Sequence, residues 1–394
     1  MLLINHGTVM DMEGHCWQDG YVLCEGSRIV ETGQNFDQSL YRGRVSGDEV
    51  LNVHGLQVLP GMLEAHCHVG ITEEKKGIEG DDCNEGTTPV TPQLRALDAI
   101  NPMDVAFQNA MKAGITGLMI GPGSSNVVGG QFVFLKTYGC CVDDMKVMEP
   151  AAMKVAFGEN PKKNYGMNGN LPSTRMAIAA MLREELMNAQ IYADKRKRQE
   201  VEPDFCMEPW IPVLERKIPL KAHVHRTDDI LTAIRIGKEF GLDITLDHCS
   251  EGHLIIEEIL SSGYPAIVGP AMTARNKIEV QYVDFKTVGE LQRAGICVAV
   301  TTDHPVTLIQ YLPICAGMAA KEGMTVENAL RAITIDAAKI CRVDRRLGSL
   351  KAGKDADMAI YDGNPMEVFS RNQYTIINGE IVYDAKKKEV SRAR

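Results

Sequence analysis

Between residues 60 and 345 the chain keeps returning to short apolar runs rich in β-branched residues, with helix-like stretches between most of them. The first run, Val58-Leu59-Pro60-Gly61-Met62-Leu63, sits inside a stretch from Leu56 to Gly70. Seven more follow at 115–120, 132–135, 153–157, 219–222, 243–246, 264–268 and 296–301. Helical patterning occupies 101–113, 173–198, 228–240, 253–261 and 285–293; the first of these opens on Asn101 and Pro102, a cap followed by a helix-starting proline. Alternation of this kind implies an α/β fold with a parallel sheet. Eight such units predict a (β/α)8 TIM barrel, whose functional residues stand at the C-terminal ends of the strands. Between the second and third runs there is no helix, only the glycine-rich segment 121–130. It lacks the Gly-Lys-Ser/Thr ending of a phosphate loop and reads as a flexible lid.

The two ends have a different texture. Residues 1–59 alternate short apolar segments with turn clusters, and so do residues 346–394, which contain an Asn378-Gly379 hairpin signal. The expectation is a small β-sandwich domain built from 1–59 plus 346–394, flanking a barrel over 60–345. No apolar run approaches the ~20 residues that span a bilayer, and the N-terminus lacks the pattern of a secretory signal. Net charge is −10, and the one basic run, residues 195–198, reads as a solvated helix end. Nucleic-acid and membrane partners are therefore not expected. Eleven cysteines without a C-x-x-C pair point to a reducing, cytoplasmic setting.

The strand ends carry the chemistry. His66 and His68 lie one residue apart at the end of the first run, so both project from one strand face. The fourth run leads to Glu159, the fifth to His223 and His225, the sixth to His248, and the eighth to Asp303 and His304. Six of the ten histidines thus stand at four expected strand ends. A His/carboxylate set of this kind suits one or two divalent ions, zinc foremost, that activate water for hydrolysis.

The entry Leu59-Pro60-Gly61-x-x-x-x-His66-x-His68 and the return Gly353-Lys354-Asp355-Ala356-Asp357 resemble the amidohydrolase superfamily over nearly the whole chain. The run His223-x-His225 with His248 and Asp303 looks like its imidazolonepropionase-like and prolidase-like branch. The resemblance implies a metal-dependent hydrolase of an amide or other C–N bond in a small molecule or peptide. It makes His66, His68, His223, His248 and Asp303 metal ligands, with Asp303 also the proton shuttle for the metal-activated water. It leaves His225 to contact substrate, and implies a homo-oligomer. For the bridging ligand after strand four the family offers a glutamate or a carboxylated lysine. Glu159 lies at the metal end and is preferred, with Lys154 the other candidate. Arg226 is a candidate for holding a substrate carboxylate. Two other readings differ in kind. A deaminase of the same superfamily would carry a glutamate where Arg226 stands, and a non-catalytic scaffold would have lost ligands that this chain keeps. Acidic residues of the 71–92 loop hint at a polar or cationic substrate.

Overall fold

The computed structural model describes residues 1–41, 49–74, 77–387 and 389–390; parts of the expected terminal domain and two residues of the 71–92 loop lie outside that description. Two sheets organise the chain. The first holds β1 (Leu2–Met10), β2 (Cys16–Glu25), β3 (Arg28–Gln34), β4 (Val50–Asn52) and β5 (Gln57–Pro60) from the N-terminal part. The second is the barrel: β6 (Met62–Cys67), β7 (Ile115–Ile120), β8 (Val128–Lys136), β9 (Lys146–Ala156), β10 (Leu220–Val224), β11 (Ile244–His248), β12 (Ala266–Val268) and β13 (Val298–Val300). The chain then returns to the first sheet with β14 (Met358–Tyr361), β15 (Asn372–Ile377), β16 (Glu380–Asp384) and β17 (Glu389–Val390).

The termini meet in a single hydrogen-bonded sheet of order β17-β16-β15-β14-β5-β1-β2-β3, with β4 pairing β1. Its own core includes Ile4, Val22, Val58, Met358 and Ile376. The stretch expected as one buried strand is divided: β5 belongs to the terminal sheet, β6 to the barrel, and Gly61 is the crossing. A Cβ there would lie 2.1 Å from Thr116 Oγ1, so the crossing has no room for a side chain. The β15–β16 hairpin turns on Asn378 and Gly379, both at positive φ, as a two-residue loop requires.

The eight barrel strands pair in sequence order from β6 to β13. The ring is nearly closed by bonds between its two ends, among them His68 N–H to His304 O at 2.9 Å and Thr301 Oγ1 to His66 O at 2.7 Å. Outward residues of these strands pack with Phe107, Leu182 and Ile230 of the surrounding helices. The expectation of an all-parallel sheet is corrected at one strand: β8 runs antiparallel to both β7 and β9. The reason lies in the connection. Residues 121–127 are too few for the dozen or more that a parallel crossover needs, so the chain turns back as a hairpin.

Reversal puts Lys136, at the end of β8, against the terminal sheet. Its ammonium meets Asp355 Oδ2 at 2.8 Å, Asp357 Oδ1 at 3.0 Å and Asn378 Oδ1 at 2.6 Å. Arg28 and Arg346 also hold Asp355. The Gly-Lys-Asp-Ala-Asp motif is thus a buried ionic seam between the two sheets.

Candidate metal centre

Four of the five clustered histidines are oriented through Nδ1. His66 Nδ1 lies 2.7 Å from Asp247 Oδ2, His68 Nδ1 is 2.7 Å from Gly121 O, and His248 Nδ1 is 2.8 Å from Gly269 O. A carbonyl or carboxylate partner only accepts, so each Nδ1 carries a proton, and Nε2 has the lone pair whenever the ring is neutral. His225 Nδ1 lies 2.8 Å from Ser250 Oγ, a hydroxyl that donates or accepts, so this contact orients the ring without fixing its tautomer. The buried Asp247 that fixes His66 also pairs with Lys221 at 3.0 Å and accepts from Thr245 Oγ1 at 2.6 Å.

These rings form two groups of mutually close donor atoms: His66, His68 and Asp303, and His223, His225 and His248. The groups adjoin, with the His66 and His248 ring centroids 5.0 Å apart. Asp303 Oδ1 lies 3.2 Å from His68 Nε2 and 3.7 Å from His66 Nε2. That oxygen is buried and has no hydrogen-bond partner among the described residues. Asp303 Oδ1, His66 Nε2 and His68 Nε2 thus converge on one place, and the oxygen has no hydrogen-bond partner there, which is the fit a divalent ion would satisfy. Backbone geometry marks the same place. His248, Cys249 and Asp303 have φ of 73°, 44° and 50°, a conformation that non-glycine residues hold only when their surroundings impose it.

Burial holds His66, His225 and His248 well below the ordinary histidine pKa, with neighbouring positive groups adding to the effect. They are neutral, as ligands must be. His68 goes the other way, to about 10: burial opposes its charge, but the Cys83 thiol and the Asp303 carboxylate outweigh it. A corner that draws a proton onto an imidazole is electrostatically prepared for a metal cation. Cys83, a buried thiol on the loop after β6, was not visible in the sequence as a site residue. His304 contributes its backbone to the ring closure, while its Nδ1 accepts Ile309 N–H at 3.1 Å.

Of the two candidates near strand four, the structure brings Lys154 to the histidines. Its buried Nζ lies 3.2 Å from His66 Nε2. Burial, the largest influence, lowers its pKa to about 8, leaving a fraction of neutral amine near pH 7. Glu159 instead begins the helix Glu159–Gly166 and belongs to neither ligand group. The cause is strand length: β9 ends at Ala156, so residue 154 points into the barrel and residue 159 has already turned away. His225, expected to touch substrate, stands among the donor atoms with His223 and His248. Arg226 makes a two-point pair with Asp228 at the start of the next helix, at 3.0 and 3.1 Å.

The 121–130 segment is not a loose lid. Asn126 Nδ2 donates to Glu85 O at 2.9 Å and to Thr88 O at 2.8 Å, and Gly123 N–H donates to Cys83 O at 2.8 Å. Tyr165 OH also donates to Thr88 O, at 2.9 Å. The acidic loop residues Glu73 and Glu74 are engaged by Asn101 and Asn109.

A family model described as "Amidohydrolase family" matches residues 223–383. The chain is 35% identical to the amidohydrolase of Thermotoga maritima MSB8 and superposes on its crystal structure with a TM-score of 0.93, covering 98% of this chain and 100% of that one. It is 26% identical to the amidohydrolase tasK of Hapsidospora irregularis over 94% of this chain, and spans 40% of that protein's length. It is 23% identical to an imidazolonepropionase of Stenotrophomonas maltophilia, covering 96% of this chain and 94% of that one. No helix among the described residues is long and apolar enough to cross a membrane.

Proposed function

Because the chain belongs to the amidohydrolase family, a group of metal-dependent hydrolases acting on carbon–nitrogen bonds, we propose a binuclear site that opens an amide or cyclic C–N bond of a small molecule or peptide. His66, His68 and Asp303 hold one divalent ion. His223 and His248 hold the second, with His225 beside them, and Lys154 bridges the two as a carbamate. The carbamate forms when the neutral Nζ amine adds to carbon dioxide and releases a proton, and it would supply one negative charge shared by two oxygens in place of a cation. Zinc suits the imidazole-rich donor set.

Bound divalent ions lower the pKa of water toward ~7 and polarise the carbonyl under attack. The remaining work falls to the chain. Asp303, at the end of β13, accepts the proton of the attacking water and passes it to the leaving nitrogen. Asp247 keeps His66 in one tautomer and one orientation, and Gly121 O and Gly269 O do the same for His68 and His248. The loops bolted by Asn126 limit water access to the rim. The site works on a soluble substrate in the cytoplasm, in a homo-oligomer.

The observation that carries this reading is the buried, unpartnered Asp303 Oδ1 facing two imidazole nitrogens. Elemental analysis of the wild type, Lys154→Ala and Glu159→Ala tests it. About two ions per chain, falling to one or fewer in Lys154→Ala and unchanged in Glu159→Ala, is the expected result. No metal in any of the three would overturn the mechanism. A loss confined to Glu159→Ala would return the bridge to that residue.

A further inference from the structure

The first ligand group has a carboxylate of its own; the second is three neutral rings. Facing that second group, from the loop after β12, stands Glu279. It is 2% exposed. Its Oε1 lies 3.8 Å from His223 Nε2 and 4.0 Å from His225 Nε2. Two atoms each bound ~2.1 Å from one tetrahedral ion stand roughly 3.4 Å apart, so this oxygen is a small adjustment from sharing an ion with those rings. The carboxylate is also anchored. Oε2 accepts the Glu159 N–H at 3.0 Å, and a Cβ on Gly158 would come within 3.1 Å of it. One oxygen is therefore fixed to the barrel rim while the other is turned toward the imidazoles. The Lys277 ammonium lies against Oε1 as an ion pair. Lys277 also donates to Asn160 Oδ1 at 3.0 Å, so it has a second partner when it leaves the carboxylate.

Resting on the binuclear reading above, we infer that Glu279 is the anionic ligand of the second ion, and that Lys277 competes with that ion for Glu279 Oε1. Three imidazoles alone would leave a buried divalent charge with no counter-charge apart from the bridge. Glu279 supplies one from a loop, not from a strand end. Lys277 makes the second ion the weaker bound of the two, because each loading event must displace an ammonium to its Asn160 contact. At the first ion the neighbouring amine, Lys154, 3.2 Å from His66 Nε2, becomes the bridge on loading and does not compete for Asp303.

Metal competition with a chromophoric chelator, using zinc as the probe on the full-length protein, tests this without any substrate. Glu279→Gln retains an acceptor for the Glu159 N–H and is expected to weaken the second ion about 10–100-fold, leaving the first unchanged. Lys277→Met is expected to act in the opposite direction and tighten the second ion severalfold. Opposite signs in the two variants support the assignment. Unchanged affinity for the second ion in Glu279→Gln, with two ions bound in the wild type, overturns it and leaves the binuclear reading standing; Glu279 is then only a cap on the helix that starts at Glu159. Weakening in both variants also overturns it, since a structural pair loses site order from either side. A wild type that binds no zinc overturns both readings.

Discussion

Two buried ionic clusters sit at opposite ends of the same barrel and do different things. The seam at Lys136 already holds its cation: the ammonium has two carboxylates and an amide oxygen around it, and Asp357 Oδ1 also accepts the Asn378 N–H at 2.8 Å, while Asp357 Oδ2 is buried without a hydrogen-bond partner among the described residues. The cluster at Asp303 is open. His66 and His68 are each tied down by Nδ1 and turn Nε2 toward Asp303 Oδ1, which has no hydrogen-bond partner among the described residues. Buried charge that is neutralised internally joins parts of a fold. Buried charge arranged around a space is a ligand set.

The contrast is broken most strongly at Asp303. Asp303→Asn should cut turnover by at least about 10³-fold by removing the proton carrier, while the thermal midpoint of the chelator-treated protein does not fall. A lower midpoint would mean that Asp303 holds the fold together after all. Lys136→Met should do the reverse. Leaving two buried carboxylates uncompensated costs about 3–5 kcal/mol, to be read in urea unfolding, with metal content unchanged. Asp247→Asn lies between the two cases. It keeps the shape but loses the charge that orients His66, and should weaken the first ion about 10–100-fold in chelator competition.

The smallest effect concerns pH. His66, His225 and His248 are held below the ordinary value by burial, so the unfolded chain binds more protons than the folded one once pH drops under the unfolded value of about 6.5. Their contribution to the stability of the metal-free protein is then full above that pH and falls below it, by up to ~1.4 kcal/mol per pH unit for each such group. His225→Gln should flatten the slope by about one group's share. An unchanged slope would show that His225 is not among the groups kept neutral.

Much of the barrel was legible because the feature that encodes a buried strand, a short apolar run, is local. All eight runs became barrel strands, and the helices at 175–197 and 227–240 start within two residues of where patterning put them. Direction was not legible in the same way. Val128 to Lys136 is equally apolar read upward or downward, and only the shortness of 121–127 signals a hairpin. The histidines and Asp303 were found because strand ends concentrate them. Lys154 was ranked below Glu159 because the end of β9 falls at Ala156, a boundary that hydrophobicity alone leaves free by a few residues. Glu279 gave no signal: it lies in a short 3-10 turn, Ile278–Val280, away from any strand end, and only three-dimensional proximity brings it to His223.

The reversed strand has a consequence for how such an enzyme can change. A hairpin loop can lengthen without rebuilding a helical crossover, and each doubling of a flexible loop's length costs only about 0.6 kcal/mol in closure entropy. The connection from β7 to β8 begins at Gly121, whose carbonyl orients His68. It is thus a place where new chain can be added directly above the metal end with the barrel register undisturbed. Variation in substrate scope among proteins built on this plan should concentrate there, and a library of insertions between Ser124 and Asn126 is the natural place to look for new specificity.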